Sequence, residues 1–363
     1  MLIGFCSCLC ALLITGLIIG LQPLHEKFST DSDLQGPQKF HLKPVPRIGG
    51  LSILLSIVFL ALVFLLYAPN TALLALQLVV CALPAFLMGF AEDLTKRISA
   101  NIRLISTFIA AGIAYFWLDI GVIRVDLPFI DTWLMVLPIS FILTIVAVAG
   151  LSHAVNIIDG FNGLAAMVVI IMLSSLAYVA FALQDVLIMQ LSLSLIGIIL
   201  GFFFWNFPLA RIFLGDGGAY LLGFLLAELA LLLLIRHPEI SAIYPLLLCI
   251  YPIFETIFSI YRKRWIQGIS PSLPDRQHLH MLVYTYLHYQ LTKQNNAYLA
   301  WCNALTAPFL WLLCALAVVP ATLFWDKPWL LFSTMVLFCY CYIQLYILLN
   351  AQNTKNCIKK LAL

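Results

Sequence analysis

Long apolar runs alternate with short polar segments along the whole chain. Eleven runs have the length of a bilayer-spanning helix, about 20 residues. Few polar residues interrupt these runs and no two-residue alternation is seen, so the pattern predicts helices rather than strands of a closed barrel. The runs fall at 2–22, 48–67, 71–91, 102–120, 133–152, 163–183, 186–205, 214–235, 240–260, 298–320 and 325–350.

The composition supports a membrane location for these helices. Hydrophobic residues make up 63% of the 363 residues and charged residues only 10%, whereas soluble domains average about 45–50% and about 25%. We therefore predict an all-α polytopic membrane protein with about eleven transmembrane helices. Neither an internal repeat nor a long polar linker divides the sequence, so residues 1–363 are interpreted as a single integral membrane domain.

Lysine and arginine are distributed unequally between the two sets of loops. Sixteen of the 19 basic residues lie in one set, and only Arg124, Arg236 and Lys327 lie in the other. Because cytoplasmic loops carry the excess of Lys and Arg, we expect the N-terminus outside the cell and the C-terminus inside. The net charge of +3 is too small to suggest a nucleic-acid partner.

The first unusual inward loop begins with two adjacent acids. Glu92 and Asp93 end an apolar run, and Lys96 and Arg97 follow within one turn. Basic residues are typical anchors at this boundary, but adjacent carboxylates are costly there without a role. We interpret the acids as a base or a metal-organising pair, and a solvated helix end is the structural alternative.

The second loop carries three oxygen-bearing side chains at three-residue spacing. Asn156, Asp159 and Asn162 would share a face on a helical turn, and Gly160 and Gly163 allow close backbone approach. An Asx-rich turn between helices is the alternative. Three convergent oxygens are more than such a turn requires.

In the third loop, Asp216 lies in a glycine-rich turn that opens the apolar run at 214–235. A helix N-terminus offers free N–H groups and partial positive charge, which suit a phosphate. Asp216 could hold a cation that bridges the protein and that phosphate. By itself this glycine pattern is a weak signal.

The fourth and longest inward loop contains two polar groups. The basic trio 262–264 is typical of lipid headgroup contact. Asp275, Arg276, His278 and His280 combine phosphate-binding and proton-handling side chains. The His-x-His pair could suggest zinc, but no third nitrogen or sulfur ligand stands at the usual spacing.

The acids of these loops lie on one predicted side of the membrane. Oxygen ligands beside basic side chains favour Mg²⁺ with a phosphate substrate, with Mn²⁺ as an alternative. Like charges at about 4 Å repel by about 4 kcal/mol at an effective dielectric of about 20. A divalent cation with Arg276 and Lys96 would offset the repulsion between a diphosphate and Asp93, Asp159 and Asp216.

Five motifs, in the same order, resemble those of the polyprenyl-phosphate N-acetylhexosamine-1-phosphate transferases, glycosyltransferase family 4. This family includes bacterial GlcNAc-1-phosphate transferases and the MurNAc-pentapeptide translocase. The resemblance covers roughly residues 37–285, and its last motif is closer to the GlcNAc-1-phosphate branch. The motifs are PVPRIGG at 44–50, EDLTK at 92–96, NIIDGFNG at 156–163, FLGDGG at 213–218 and PDRQHLH at 274–280.

The resemblance implies transfer of a sugar-1-phosphate from a UDP-N-acetylhexosamine to undecaprenyl phosphate, with release of UMP. It places the reaction at the cytoplasmic face of a bacterial plasma membrane, where the lipid diphosphate sugar would initiate O-antigen of lipopolysaccharide or another cell-envelope glycan. GlcNAc is the default sugar, while GalNAc, QuiNAc and FucNAc donors and a homodimer are left open. An ion-coupled transporter and an inactive scaffold relative are the alternative functions.

Site residues follow from the resemblance motif by motif. The implied sets are catalytic residues Asp93, Glu92, Asp159 and Lys96, metal ligands Asp216 and Asn156, and substrate contacts Asn162, Phe213, Arg276, His278, His280 and Arg103. Within these sets Asp93 is the base-like carboxylate, Asn162 pairs with the uracil edge and Phe213 stacks on the base. Two positions depart from the family pattern, since Glu92 and Asn162 stand where Asp is frequent.

Overall fold

The computed structural model describes residues 2–31, 44–270, 273, 275–292 and 301–361, and helices dominate these ranges. The helices are α1 (Leu2–Gly20), α2 (Gln22–Ser29), α3 (Gly49–Phe64), α4 (Pro69–Thr95), α5 (Ala100–Leu118), α6 (Pro128–Leu134), α7 (Leu137–Ile158), α8 (Leu164–Ala182), α9 (Val186–Asn206), α10 (Gly215–Arg236), α11 (Ile243–Leu248), α12 (Ile250–Tyr261), α13 (Leu279–Thr292), α14 (Cys302–Leu323) and α15 (Pro328–Leu361). A π-helical turn spans Arg262–Ile266. Two short strands, β1 (Thr30–Asp31) and β2 (Val45–Pro46), pair antiparallel.

The described part of the chain contains nine helices that are long and apolar enough to cross a bilayer, namely α1, α4, α5, α7, α8, α9, α10, α14 and α15. The prediction of an all-α polytopic membrane protein is therefore confirmed. Of the other two predicted spans, α3 has only 16 residues. The eleven-span count, the orientation of the termini and the single domain over 1–363 stay predictions.

The predicted span at 240–260 is divided into two short helices. α11 ends at Leu248 and α12 begins at Ile250. Pro252 has no N–H to donate to the carbonyl four residues earlier, and its ring clashes with that carbonyl. A continuous helix is thereby prevented at this point, which length and hydrophobicity alone did not indicate.

Helix α10 lies at the centre of the bundle. Nearly all of its side chains are buried, and it packs against α3, α4, α7 and α8. A helix that is apolar on every side is typical of such a surrounded position. By contrast, α1 and α15 expose large apolar residues such as Leu13 (71%) and Trp329 (82%), as lipid-facing helices do.

Glycines allow α10 to approach α3 and α4 closely near its first turn. A Cβ atom on Gly50 of α3 would lie 2.3 Å from the backbone nitrogen of Gly218, and one on Gly89 of α4 would lie 2.7 Å from the Cα of Gly217. Only hydrogen atoms fit between these backbones. Small residues permit this close packing of membrane helices.

The start of α3 is joined to the turn that precedes α10. The N–H groups of Gly49 and Gly50 donate to the carbonyls of Phe213 and Leu214 at 2.9 and 2.8 Å. These bonds satisfy amides that would otherwise be unpaired, because α3 has no side-chain cap. Arg47, just before α3, is thereby fixed beside the beginning of α10.

Candidate active site

A cavity of about 360 Å³ lies where several helix ends meet at one end of the bundle. Its walls come from the segment before α3, the starts of α5, α10, α13 and α14, and the turn between α7 and α8. Eight of the twelve site residues predicted from the sequence line it, namely Arg103, Asn156, Asp159, Asn162, Phe213, Asp216, His278 and His280. Loops far apart in the sequence therefore converge on one site.

Asp216 is paired with two arginines. Its Oδ1 lies 3.2 Å from Nη2 of Arg47, and its Oδ2 accepts a hydrogen bond from Nη1 of Arg103. The sequence interpretation assigned charge compensation to Arg276 and Lys96. In the structure Arg47 and Arg103 supply positive charge at the cavity, because the segment before α3 and the first turn of α5 both lie beside it. Arg47 stands in the first motif, but its role was missed.

Asp93 caps helix α10. Its two carboxylate oxygens accept the backbone N–H groups of Asp216 and Gly217 at 2.9 and 3.0 Å, and its Oδ1 lies 3.5 Å from Nε of Arg47. Asp93 is only 2% exposed and lies behind the cavity wall. The Asp93 carboxylate occupies two first-turn amides, those of Asp216 and Gly217, so these two are not open to the phosphate expected at this helix N-terminus.

The turn after α7 differs from the helical face expected for its polar residues. α7 ends at Ile158, so Asp159 and Asn162 lie in the turn, where Gly163 adopts a φ of +70°. Asn156 remains on the helix. All three polar side chains still reach the cavity, Asn156 from the last turn of α7 and the other two from the turn that follows it.

Asp159 is a half-buried carboxyl group with an altered acidity. Burial raises the pKa of Asp159 to about 7, Arg47 opposes that rise, and the carboxylates of Asp216 and Asp93 reinforce it. Three acids thus share this end of the bundle with the two arginines. Added positive charge would stabilise the ionised form of all three carboxylates.

Asn162 presents an amide oxygen that has no partner in the described structure. Its backbone N–H donates to Oδ1 of Asn303 at 3.0 Å, and its Nδ2 donates to the carbonyl of Pro208 at 2.9 Å. Its Oδ1 is buried without a hydrogen bond. A buried acceptor on a cavity wall can be satisfied by a ligand donor, which agrees with the expected substrate contact.

Two further amides that support this turn were missed from the sequence. Asn206 at the end of α9 accepts the N–H of Gly163 at 2.7 Å and donates to the carbonyl of Ile212 at 2.8 Å. Asn303 lies in the first turn of α14. Each is a single amide beside an apolar run, so no local pattern marks it.

His278 and His280 stack on one wall of the cavity. Their rings are nearly parallel, with centroids 5.3 Å apart. A Cβ on Gly160 would lie 3.1 Å from Nε2 of His280, so this glycine allows the ring to approach the α7–α8 turn. Burial lowers the pKa of His280 to about 3. His280 is therefore neutral near pH 7.

Besides Asp93, three predicted residues lie off the cavity wall, namely Glu92, Lys96 and Arg276. Oε2 of Glu92 accepts the N–H of Ile98 at 2.6 Å and closes the turn after α4. Lys96, the residue after the end of α4, has a φ of +57° and is exposed, as is Arg276. None of these three side chains lines the cavity, and the roles assigned to them stay predictions.

The oxygen donors of the cavity fit a magnesium ion that is shared with a phosphate. No group of three or more His, Cys, Asp or Glu side chains among the described residues could hold a metal ion. Asp216 and Asn156 nevertheless line the same cavity. Mg²⁺ usually takes one or two protein carboxylates and completes its shell with water and substrate phosphate, which this sparse donor set would allow.

Comparisons with known proteins agree with the motifs. Residues 75–234 match the model of Glycosyl transferase family 4. Over 253 residues the chain is 34% identical to the probable undecaprenyl-phosphate N-acetylglucosaminyl 1-phosphate transferase of Bacillus subtilis (strain 168). The aligned region covers 68% of each of the two chains. Over 223 residues it is 32% identical to the phospho-N-acetylmuramoyl-pentapeptide-transferase of Clostridium botulinum (strain Eklund 17B / Type B), covering 58% of this chain and 67% of the relative. The chain therefore belongs to glycosyl transferase family 4, the polyprenyl-phosphate N-acetylhexosamine-1-phosphate transferases.

Proposed function

We propose that this protein transfers an N-acetylhexosamine-1-phosphate from a UDP-sugar to undecaprenyl phosphate. The observation that carries the proposal is Asp216, placed between Arg47 and Arg103 on a cavity at the ends of membrane helices. A carboxylate for a hard cation beside two guanidinium groups for phosphate oxygens suits a diphosphate substrate. The relatives named for undecaprenyl-phosphate and pentapeptide transfer support the same reaction class.

In the proposed reaction an oxygen of the lipid phosphate attacks the phosphorus that carries the sugar. The bond between that phosphorus and the bridging oxygen breaks, and UMP leaves with the bridging oxygen and its electron pair. Arg47 and Arg103 would bind the phosphate oxygens, while Asp216 and Asn156 would hold Mg²⁺. When bound, Mg²⁺ supplies positive charge that neutralises the diphosphate. Positioning and charge neutralisation are the main requirements of phosphoryl transfer.

The other cavity residues divide between the two ends of the nucleotide sugar. The unpaired Oδ1 of Asn162 could accept an N–H from the uracil edge, and Phe213 lies on the same cavity for stacking. His278 and His280 would contact phosphate or sugar oxygens. Asp93, with both oxygens on backbone amides, positions Asp216.

The transporter alternative agrees less well with this arrangement. Transport sites commonly lie near the bilayer midplane on interrupted helices, whereas Asp159, Asp216 and Arg103 lie at helix ends. We place the reaction at the cytoplasmic face of a bacterial plasma membrane, in the initiation of an envelope glycan such as O-antigen.

The test is UMP release by purified protein with undecaprenyl phosphate, Mg²⁺ and a panel of UDP-N-acetylhexosamines. We expect release that requires the lipid phosphate, stops with EDTA and returns with Mg²⁺ or Mn²⁺, and that GlcNAc is the preferred sugar. Asp216→Asn should abolish release, whereas Asp126→Asn, on the opposite side of the bundle, should not. A folded wild-type protein that releases no UMP from any donor would contradict the proposal.

A further inference from the structure

A buried acid on α12 contacts residues 275–280, here called the histidine loop, without lining the cavity itself. Oε1 of Glu255 lies 3.0 Å from Nδ1 of His278 and accepts the backbone N–H of Leu279, also at 3.0 Å. The hydroxyl of Tyr342 on α15 donates to Oε2 at 2.7 Å. Glu255 is 1% exposed and is not part of the cavity wall. It would reach a substrate only through His278.

We infer that Glu255 is a positioning residue for the sugar-phosphate transfer and acts through His278. This inference rests on the proposed function. A carboxylate acceptor facing Nδ1 requires that nitrogen to carry a proton, and it fixes the plane of the ring. Nε2 is then the nitrogen left for a ligand, with Oδ1 of Asp275 3.7 Å away. Acidic partners orient histidines in the same way in metal sites and catalytic triads.

Glu255 has hydrogen-bond partners for both carboxylate oxygens, unlike Glu228 on α10, the other buried glutamate of the described residues. A carboxyl group inside a membrane domain is costly unless it is hydrogen-bonded. Three donors, from the loop and from α15, meet the two oxygens of Glu255. Both oxygens of Glu228 lack a hydrogen-bond partner. Glu228 therefore provides a matched control for removing a buried carboxylate.

The loop has a second anchor on its other side. Nη1 of Arg262 lies 2.8 Å from Oδ2 of Asp275 and donates to Oε1 of Gln277 at 2.7 Å. This pair connects the loop to the π-helical turn after α12. With Glu255 it leaves His278 between two fixed points. Loss of Glu255 would release only the side that carries Nδ1.

The first test compares kcat/KM for UMP release. Glu255→Gln retains the shape but lacks a second acceptor oxygen, and we expect about a 10-fold decrease. Glu255→Leu removes both acceptors, and we expect kcat/KM to decrease by about 100-fold. This is within the range seen when a partner that orients a ligating side chain is lost. Tyr342→Phe should lower kcat/KM by about 3-fold, and Glu228→Gln should leave it unchanged.

The decisive measurement repeats Glu255→Gln and Tyr342→Phe in a His278→Ala background. If Glu255 acts through His278, neither substitution will lower kcat/KM by more than about 2-fold there, because interacting residues give non-additive effects. Equal decreases in both backgrounds would mean a general structural role and would overturn the inference. If the wild-type protein releases UMP but the effects of the Glu255 and His278 substitutions are additive, this inference alone is refuted and the proposed function stands.

A spectroscopic readout tests the inference without catalysis. The ¹⁵N signals of His278 can be assigned by their loss in His278→Ala. We expect Glu255→Gln to shift the Nδ1 signal and Glu228→Gln to leave it in place. An Nδ1 signal that does not respond to Glu255→Gln would overturn the inference, even if the wild-type protein released no UMP.

Discussion

Asp93 and Asp216 are joined through the backbone of α10: the Asp93 carboxylate accepts the N–H of Asp216 at 2.9 Å and the N–H of Gly217 at 3.0 Å. One acid therefore fixes the helix start that presents the other acid to the cavity. The same geometry places a negative charge at the positive end of a helix dipole, which stabilises both. The two acids should consequently respond differently to substitution.

Asp93→Asn and Asp216→Asn should separate stability from activity. In Asp93→Asn the side-chain NH₂ group faces one of the two backbone N–H groups, and two donors cannot form a hydrogen bond. Leaving that buried N–H without an acceptor costs about 1–3 kcal/mol. We expect this variant to lose activity and to unfold at a lower temperature. Asp216→Asn should lose activity by about 100-fold or more with a smaller decrease in midpoint, because the amide oxygen can still accept a hydrogen bond from Arg103.

Thermal unfolding in detergent and UMP release measure these two effects on the same preparations. Asp119→Asn, at an exposed acid just after the end of α5, provides the control for handling and yield. If Asp216→Asn released UMP at the wild-type rate, Asp216 would have no role in the reaction. An unchanged unfolding midpoint in Asp93→Asn would contradict its role as the cap of α10.

The close approach of α3 and α10 predicts a sharp difference between two glycines. A Cβ on Gly50 would meet the backbone nitrogen of Gly218 at 2.3 Å, whereas a Cβ on Gly150 of α7 meets nothing within 4 Å. Gly50→Ala should destabilise the protein by about 1–3 kcal/mol or more through overpacking. Gly150→Ala should be neutral or stabilise by up to about 1 kcal/mol.

The unfolding midpoints of the two alanine variants test this difference directly. Gly50→Ala should also lower UMP release, because the displaced α3 carries Arg47 with it. A Gly50→Ala protein as stable as Gly150→Ala would show that the two helices separate without cost.

The hydrogen bonds of Asp185, at the end of the bundle opposite the cavity, predict that stability depends on pH. Burial raises the pKa of Asp185, but hydrogen bonds from Arg236 at 2.6 Å, His237 at 2.9 Å and the N–H of Ile188 outweigh burial and hold this pKa below its ordinary value. A lowered folded-state pKa contributes stability above the unfolded pKa, about 3.9, which is lost as the pH falls through the folded pKa.

Asp185→Asn should therefore lower the unfolding midpoint by a nearly constant amount above about pH 4. The difference from wild type should shrink below that pH, where the wild-type carboxylate becomes protonated. Midpoints measured from pH 7 to pH 3 would test this. A difference that grew on acidification would contradict the sign of the pKa shift.

The position of Arg47 on the cavity wall predicts that its positive charge contributes to the affinity for the UDP-sugar. Arg47→Gln should raise the KM for the UDP-sugar by about 10-fold or more, since a charged contact to phosphate is lost. Arg97→Gln provides a control, because Arg97 is exposed and lies off the cavity wall. Steady-state kinetics at fixed lipid phosphate would measure both. Equal KM values for the two variants would place Arg47 outside the substrate site.

Much of the site could be predicted because its residues occur in motifs that break otherwise apolar sequence. Asn156, Asp159 and Asp216 are conspicuous in this way, and the cavity contains all three. The amides of Asn206 and Asn303 could not be predicted from local pattern. Their partners, Gly163 and Asn162, are distant in the sequence.

By itself the sequence determined the helical membrane fold, the family and eight of the residues that line the cavity, because bilayer thickness and motif chemistry act on local sequence. Only the tertiary structure decided how charges are paired. The base-like role of Asp93 stays a prediction, but that Asp93 caps α10 from 123 positions away could not be predicted. The same holds for the contact of Arg47 with Asp216 across 169 positions. Such contacts depend on how closely glycine-bearing helices pack, which no local spacing encodes.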